Sequence, residues 1–461
     1  MKHFSILPAA ALALLWIPSC DIQIDKDSFQ VVSTVDEETT RIADGAWSIY
    51  SDLAGITVDE PNTHYYTVSE LFTLYSSVYF KDGSGVSDSE KDIFQNGFKA
   101  FCNGSLGGYD IPASDEKYWE VARITYNYGG KDLPGKLIWC THGEAHTPIN
   151  PRYVIIDSHW TMTGAEEFPS VGTPPVIALA RMDAVYICPD QMADGEPQPY
   201  LCEEVTANRT IAMVKASLGY LDSIGMDPLQ SCEGYSIGYS QGGASALAVH
   251  RAIEKDSPLS QAIGFSGTYS GAGPYNMNLT LEKWIENGTL TFPAAIGLIA
   301  LAWDCYYPEE VGANSAVNCF LSQKFRDSGA LADIAARSSN IGAINAKIAA
   351  SVGSVNVNQL LAADWDSDSY AFKGIATSNN LLDGSWYPEH PVVFFHSKDD
   401  EVVPFANSTS ARDLFKDHCP VTLIEKEGYH SQVGADFYTW MGMQQGFPNA
   451  IHELIMTANS D

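Results

Sequence analysis

Residues 232–255 read CEGYSIGYSQGGASALAVHRAIEK. The first part is a short apolar run of strand type. The second places small and apolar residues at helical spacing and reads as a helix. Two overlapping G-x-S-x-G matches straddle the junction, one centred on Ser236 and one on Ser240. The motif works because a serine on a tight strand-to-helix turn projects its hydroxyl from the sheet edge. Glycines two before and two after it let backbones crowd there. Only Ser240 is followed directly by the helix, whose N-terminus favours negative charge nearby. Ser236 lies inside the strand and reads as structural. Ser240 is therefore the candidate nucleophile.

Outward from this unit, strands alternate with helices. YWEVARITYNY (118–128) and GKLIWCTHG (135–143) flank a Gly/Pro turn and read as a hairpin. RYVIIDSHW (152–160) and AVYICPD (184–190) are further strands, and 206–225 is an amphipathic helix ending near Gly225. QAIGFSGTYSG (261–271), PVVFFHS (391–397) and VTLIEKEG (421–428) complete the set. The alternation predicts an α/β fold with a mostly parallel sheet covered on both faces. Between the strands ending near 270 and beginning near 391 lie about 120 residues, too many for an unstructured loop. A helical cap accounts for them, with FPAAIGLIALAW (292–303) expected to be buried inside it rather than to line a substrate site. The N-terminal stretches 37–55 and 87–104 carry helical patterns. The expected division is a leader (1–20), a tether and helical region (21–117), a first core part (118–270), the cap (271–388) and a second core part (389–461).

The leader begins Met1-Lys2-His3 and continues with an apolar run over 4–17, too short to span a bilayer. Ile17-Pro18-Ser19-Cys20 follows and resembles the bacterial lipobox. That resemblance implies lipid attachment at Cys20, export, and a chain held at the bacterial cell envelope by its lipid alone. Eight other cysteines remain, and an exported chain can form disulfides. Cys140 and Cys188 sit in strand runs and read as buried thiols, whereas Cys305 and Cys319 are the best local candidates for a bridge. Fifty-seven acidic against 26 basic side chains give a net charge of −31, a field that repels phosphate backbones and argues against a nucleic-acid partner.

The strand–Ser240–helix unit resembles the nucleophile turn of the α/β-hydrolase superfamily, whose chain order is Ser, then Asp or Glu, then His. The strand 391–397 runs into Lys398-Asp399-Asp400-Glu401, where three acids compete. HSKDDEVVP resembles the superfamily's H-G-x-x-D-x-x-V-P loop, which matches Asp400, with Asp399 as runner-up. The last strand runs into Gly428-Tyr429-His430, 30 residues beyond Asp400, and makes His430 the candidate base. His390 and His396 precede the acid and are poorly placed by this order. Two backbone N–H groups should face a developing oxyanion. Gln241 supplies one. The other belongs to the loop after the third strand; strand counting assigns RYVIIDS to that strand and Trp160 as donor, over the alternative at His142-Gly143-Glu144.

More narrowly, GYSQGGASALA, SHWTMTGAEEFPS, AVYICPDQMADGEPQPYL and SGAGPYN resemble segments of the secretory lipase family, the cap-bearing branch of these hydrolases. The chain departs from that family at Trp160, Phe168 and Gln191. The resemblance implies hydrolysis of a small-molecule or polymer-borne carboxylic ester through an acyl-enzyme, with no metal and no organic cofactor. Two other functions compete. A prolyl-oligopeptidase-type peptidase shares fold and triad order, but the roughly 100 residues before the first core strand cannot hold a propeller. A non-catalytic surface binding protein would have no need of a complete Ser-Asp-His set.

Overall fold

The computed structural model describes residues 47–50, 56–67, 69–71, 73–74, 116–172, 183–226, 232–353, 356–367, 370–442 and 449–458. The leader, Cys20, Cys102 and the helical pattern at 87–104 lie outside the described residues.

Among the described residues, ten strands form one sheet: β1 (Ile56–Thr67), β2 (Lys117–Tyr128), β3 (Lys131–His142), β4 (Thr147–Pro148), β5 (Tyr153–Ser158), β6 (Ala184–Pro189), β7 (Glu233–Tyr239), β8 (Phe265–Gly271), β9 (Val392–Ser397) and β10 (Val421–Lys426). Their order is β1-β2-β3-β6-β5-β7-β8-β9-β10, with β4 paired to β3. From β6 to β10 every neighbouring pair is parallel, and β3 lies antiparallel to both β2 and β6. Parallel strands need crossovers and bury both faces, which is why β5, β6 and β9 are mostly apolar and buried at every residue. The β2–β3 turn uses Gly129 and Gly130, both at positive φ (60° and 77°), as a tight two-residue hairpin demands.

Helices α1 (Glu203–Ser223), α2 (Gln241–Lys255), α3 (Met277–Asn287), α4 (Ala294–Tyr306), α5 (Ile341–Val352), α6 (Ala406–Phe415), α7 (His430–Gly442) and α8 (Asn449–Ala458) are the longer ones. One face of the sheet packs Leu218, Val249 and Phe415 from α1, α2 and α6. The other packs Val433, Phe437 and Ile451 from α7 and α8. The fold is that of an α/β-hydrolase, with extra helices inserted between β8 and β9.

The inserted helices have a core of their own. Trp303 on α4 stacks on Phe372 (centroids 5.7 Å apart, planes 18°) and meets Phe320 at 5.0 Å. The apolar run 292–303 supplies most of α4 and is buried there along nearly its whole length. Between the two stretches read as helical, 37–55 and 87–104, the chain contributes a strand that the sequence reading did not mark, β1, at the sheet edge. Its β-branched and aromatic residues suit a strand, and its register on β2 shifts between Val58 and Thr63. The bridge expected between Cys305 and Cys319 does not form: none of the seven described cysteines is in a disulfide. Cys305 lies on α4 among the charges of Glu196, Lys131 and Arg209, whereas Cys319 faces the Tyr370 hydroxyl.

Candidate active site

Ser240 sits where β7 turns into α2, with φ 60° and ψ −125°. A non-glycine residue at positive φ is strained and needs its surroundings to hold it. Here the Ser240 N–H donates to Gly271 O at the end of β8 (2.8 Å) and Ser240 O caps the first turn of α2. The flanking glycines are dictated by contact. A Cβ on Gly238 would lie 2.1 Å from Gly242 O, and one on Gly242 would lie 2.1 Å from Ser158 O. The end of β5 therefore presses directly on the turn. Ser236 is fully buried in β7, its hydroxyl donating to Ala246 O (3.0 Å).

Ser240, Asp400 and His430 meet in space. His430 Nε2 lies 2.9 Å from Ser240 Oγ and His430 Nδ1 lies 2.6 Å from Asp400 Oδ2. His430 opens α7, and its main chain is fixed at both ends: its N–H donates to Glu401 Oε2 (3.0 Å) and its carbonyl accepts from the Tyr239 hydroxyl (2.8 Å). Asp400 is completely buried at its side chain. Oδ1 accepts from the Val402 and Val403 N–H groups (2.9 and 2.7 Å), and Oδ2 accepts from His430 and from His396 Nε2 (3.2 Å). Burial alone would raise this carboxyl, but the hydrogen bonds from His396 and His430 outweigh it and hold it well below the usual carboxylate range. Asp399 points elsewhere, making only a long contact (3.4 Å) to Gly428 N.

The loop after β5 lies beside the turn, because Ser158 pairs in register with Gly238 and both Ser158 O and His159 O face Gly242. Among the described residues neither the Trp160 nor the Gln241 N–H is taken by a protein acceptor. The loop is tied down from below. Glu167 accepts from Thr163 N (3.0 Å) and Gly164 N (2.7 Å), and Asp190 accepts from the N–H and hydroxyl of Ser170. Burial pushes the Asp190 carboxyl up to about 6. Gln241 is positioned through its side chain, whose oxygen accepts from Gln198 Nε2 (3.0 Å). His142-Gly143 lies at the opposite edge of the sheet, since β3 runs antiparallel to the strands that end at Ser158 and Tyr239. The alternative donor at Gly143 or Glu144 is thereby excluded on topology. Trp160 is exposed and packs edge-on against Tyr438 (5.7 Å).

The insertion grips both loops of the site. From α3, Trp284 Nε1 donates to Val402 O (2.7 Å), and Thr291 Oγ1 donates to Glu401 O (2.7 Å). On the other side, Ala165 N donates to Arg337 O (2.9 Å), and Gly164 bridges to Ser338. Glu401 and Tyr239 escape a reading by chain order, because each acts through a neighbour rather than at a motif position. His396 holds the first position of the H-G-x-x-D-x-x-V-P resemblance, but chain order weighs it only as a base and sets it aside.

No protein-family model and no curated protein sequence matches the chain. Solved structures do. The rice cell wall degrading esterase LipA from Xanthomonas oryzae superposes with a TM-score of 0.53 at 20% identity, over 77% of this chain and 95% of that one. A protein from Legionella pneumophila subsp. pneumophila gives 0.60 at 12% identity, over 87% and 97%. Candida antarctica lipase A gives 0.50 at 14%, over 68% and 73%. The likeness is one of fold.

Proposed function

We propose that this chain is a serine hydrolase of carboxylic esters, acting through an acyl-enzyme on Ser240. The observation that carries the reading is the continuous line of hydrogen bonds from Ser240 Oγ through His430 to buried, ionised Asp400. His430 takes the Ser240 proton as the hydroxyl attacks the ester carbonyl, and Asp400 holds the ring in the required tautomer and stabilises its cation. The Gln241 and Trp160 N–H groups stabilise the oxyanion. His430 then returns the proton to the leaving alcohol, activates water, and the acid is released. No step calls for a metal or organic cofactor. The likeness in fold to an esterase and a lipase supports hydrolase chemistry in general.

Lipid attachment at Cys20 and export to the bacterial cell envelope belong to the same proposal; no helix among the described residues is long and apolar enough to cross a membrane. The test is labelling by a fluorophosphonate probe, followed by short- and long-chain p-nitrophenyl esters and a proline-containing peptide amide. Wild type labels and hydrolyses esters, while Ser240→Ala does neither. Equal labelling of that variant, or peptide cleavage without ester cleavage, would overturn the reading.

A further inference from the structure

A second cluster of side chains lies far from Ser240. His250 is on α2, ten residues beyond the nucleophile and so about 15 Å along the helix axis. Glu254 follows one turn later, and His390 approaches from the segment leading into β9. The ligand atoms of the three lie within 4.8 Å of one another.

The carboxylate is over-supplied with donors. Glu254 Oε1 accepts from the main-chain N–H groups of Glu389 (2.8 Å) and His390 (2.9 Å). His250 Nε2 (2.7 Å) and His390 Nδ1 (2.9 Å) are aimed at the same oxygen. Oε2 takes the Trp386 indole N–H (2.9 Å). A carboxylate oxygen offers about two lone-pair sites. Four donors therefore compete for about two sites on Oε1, whereas among the described residues Oε2 carries only the Trp386 donor and keeps a lone pair open to a cation. Two imidazoles and a carboxylate crowded in this way are a donor set for a cation, with the carboxylate held by its own hydrogen bonds as ligating carboxylates usually are. The other ring nitrogen of His250 lies 2.9 Å from Thr268 Oγ1, a partner able to fix its tautomer.

We propose that His250, Glu254 and His390 form a structural site for a divalent transition cation of the zinc class. Two imidazoles and one carboxylate are a zinc donor set, at bond lengths of about 2.0–2.2 Å. A cation between these atoms lengthens the present nitrogen–oxygen contacts of 2.7 and 2.9 Å. Binding moves the ring proton of a neutral His250 to Nδ1, where it donates to Thr268, and that of His390 to Nε2, so a neutral pair releases no proton. The side chains of His250 and Glu254 are 0% and 5% exposed, but that of His390 is 32% exposed and leaves a path for the ion and for a water ligand. The site clamps residues 386–390 onto α2 at the root of β9, the strand that carries Asp400 at its far end. Its role is therefore stability, and it rests on no assignment of the nucleophile.

The full-length protein, stripped with a chelator, is titrated with Co2+ and Zn2+ in excess Mg2+, which occupies surface carboxylates. Wild type should bind one equivalent of Co2+ with visible d–d absorption, lose that absorption to Zn2+, and melt several degrees higher with Zn2+ than without. His390→Ala and His390→Gln should lose the absorption and the thermal shift while keeping probe labelling at Ser240. Less than one equivalent in wild type, or the same binding in both His390 variants, overturns the site. The wild-type stoichiometry decides the matter even where a variant fails to fold.

Discussion

Asp400 and Glu203 are buried carboxyl groups with opposite fates. Asp400 receives four N–H donors and is held below the usual range. In acid the native state therefore binds fewer protons than the unfolded chain. The stability this group contributes is present above the ordinary aspartate value of about 3.9 and is lost as pH falls through the lower folded value. Asp400→Asn should cut kcat by about 10^3 to 10^4-fold and lessen the fall in stability toward acid, read by urea unfolding between pH 3 and 7. Glu203, first residue of α1, has neither carboxyl oxygen hydrogen-bonded, and burial pushes it up to about 8. The native state here binds the extra proton, so stability drains away as pH rises from the unfolded value toward 8, by at most about 1.4 kcal/mol per unit. Glu203→Gln should raise Tm relative to wild type more at pH 8 than at pH 5, and an equal or smaller gain at pH 8 would refute the assignment. His396 Nε2 lies between Val403 O (3.1 Å) and Asp400 Oδ2 (3.2 Å), with Ser408 behind the ring at Nδ1 (2.7 Å). His396→Phe should lower kcat roughly tenfold with KM unchanged, by analogy with groups that orient a functional side chain; a change in KM alone would point to packing.

At the scale of elements, the junction of β7 and α2 was readable because hydrophobic spacing changes period from two to 3.6 at one residue, Ser240. The glycines around it carry a quantitative expectation. Gly242→Ala puts a methyl 2.1 Å from Ser158 O and must push the end of β5 off the turn. Esterase activity should fall by about 100-fold or more, as when an oxyanion donor is removed, with the far-UV circular dichroism retained. Strand counting from the sequence also put Trp160 rather than Gly143 next to this turn, because a hairpin partner must point the other way. Where local pattern and tertiary demand parted, the reading failed. β1 was missed because Pro61 and neighbouring acids mask its alternation, and its pairing to β2 and the packing of Ile56, Val58 and Tyr66 are long-range contacts that local pattern does not carry. The Cys305–Cys319 pairing failed because spacing along the chain says nothing of which way two helices turn their side chains.

The whole molecule adds a field and a connection. With a net charge of −31, encounter with an anionic ester is opposed at low salt and screened at high salt. kcat/KM for an ester bearing a free carboxylate should rise roughly two- to tenfold between 0.01 and 0.5 M NaCl, while that for its neutral analogue stays level. The insertion was visible in the sequence as a length that no loop could fill, but its ties to the core were not, since Trp284, Thr291 and Arg337 belong to no motif. Those ties hold one end of the insertion to the loop of Asp400 and the other to the loop of Trp160. For anyone recombining chains of this fold, the inserted helices are therefore no interchangeable cartridge. A chimera carrying foreign inserted helices on this body would lose the supports of the Asp400 loop and of the Trp160 loop together. The natural unit of exchange is the insertion plus residues 401–402 and 164–165.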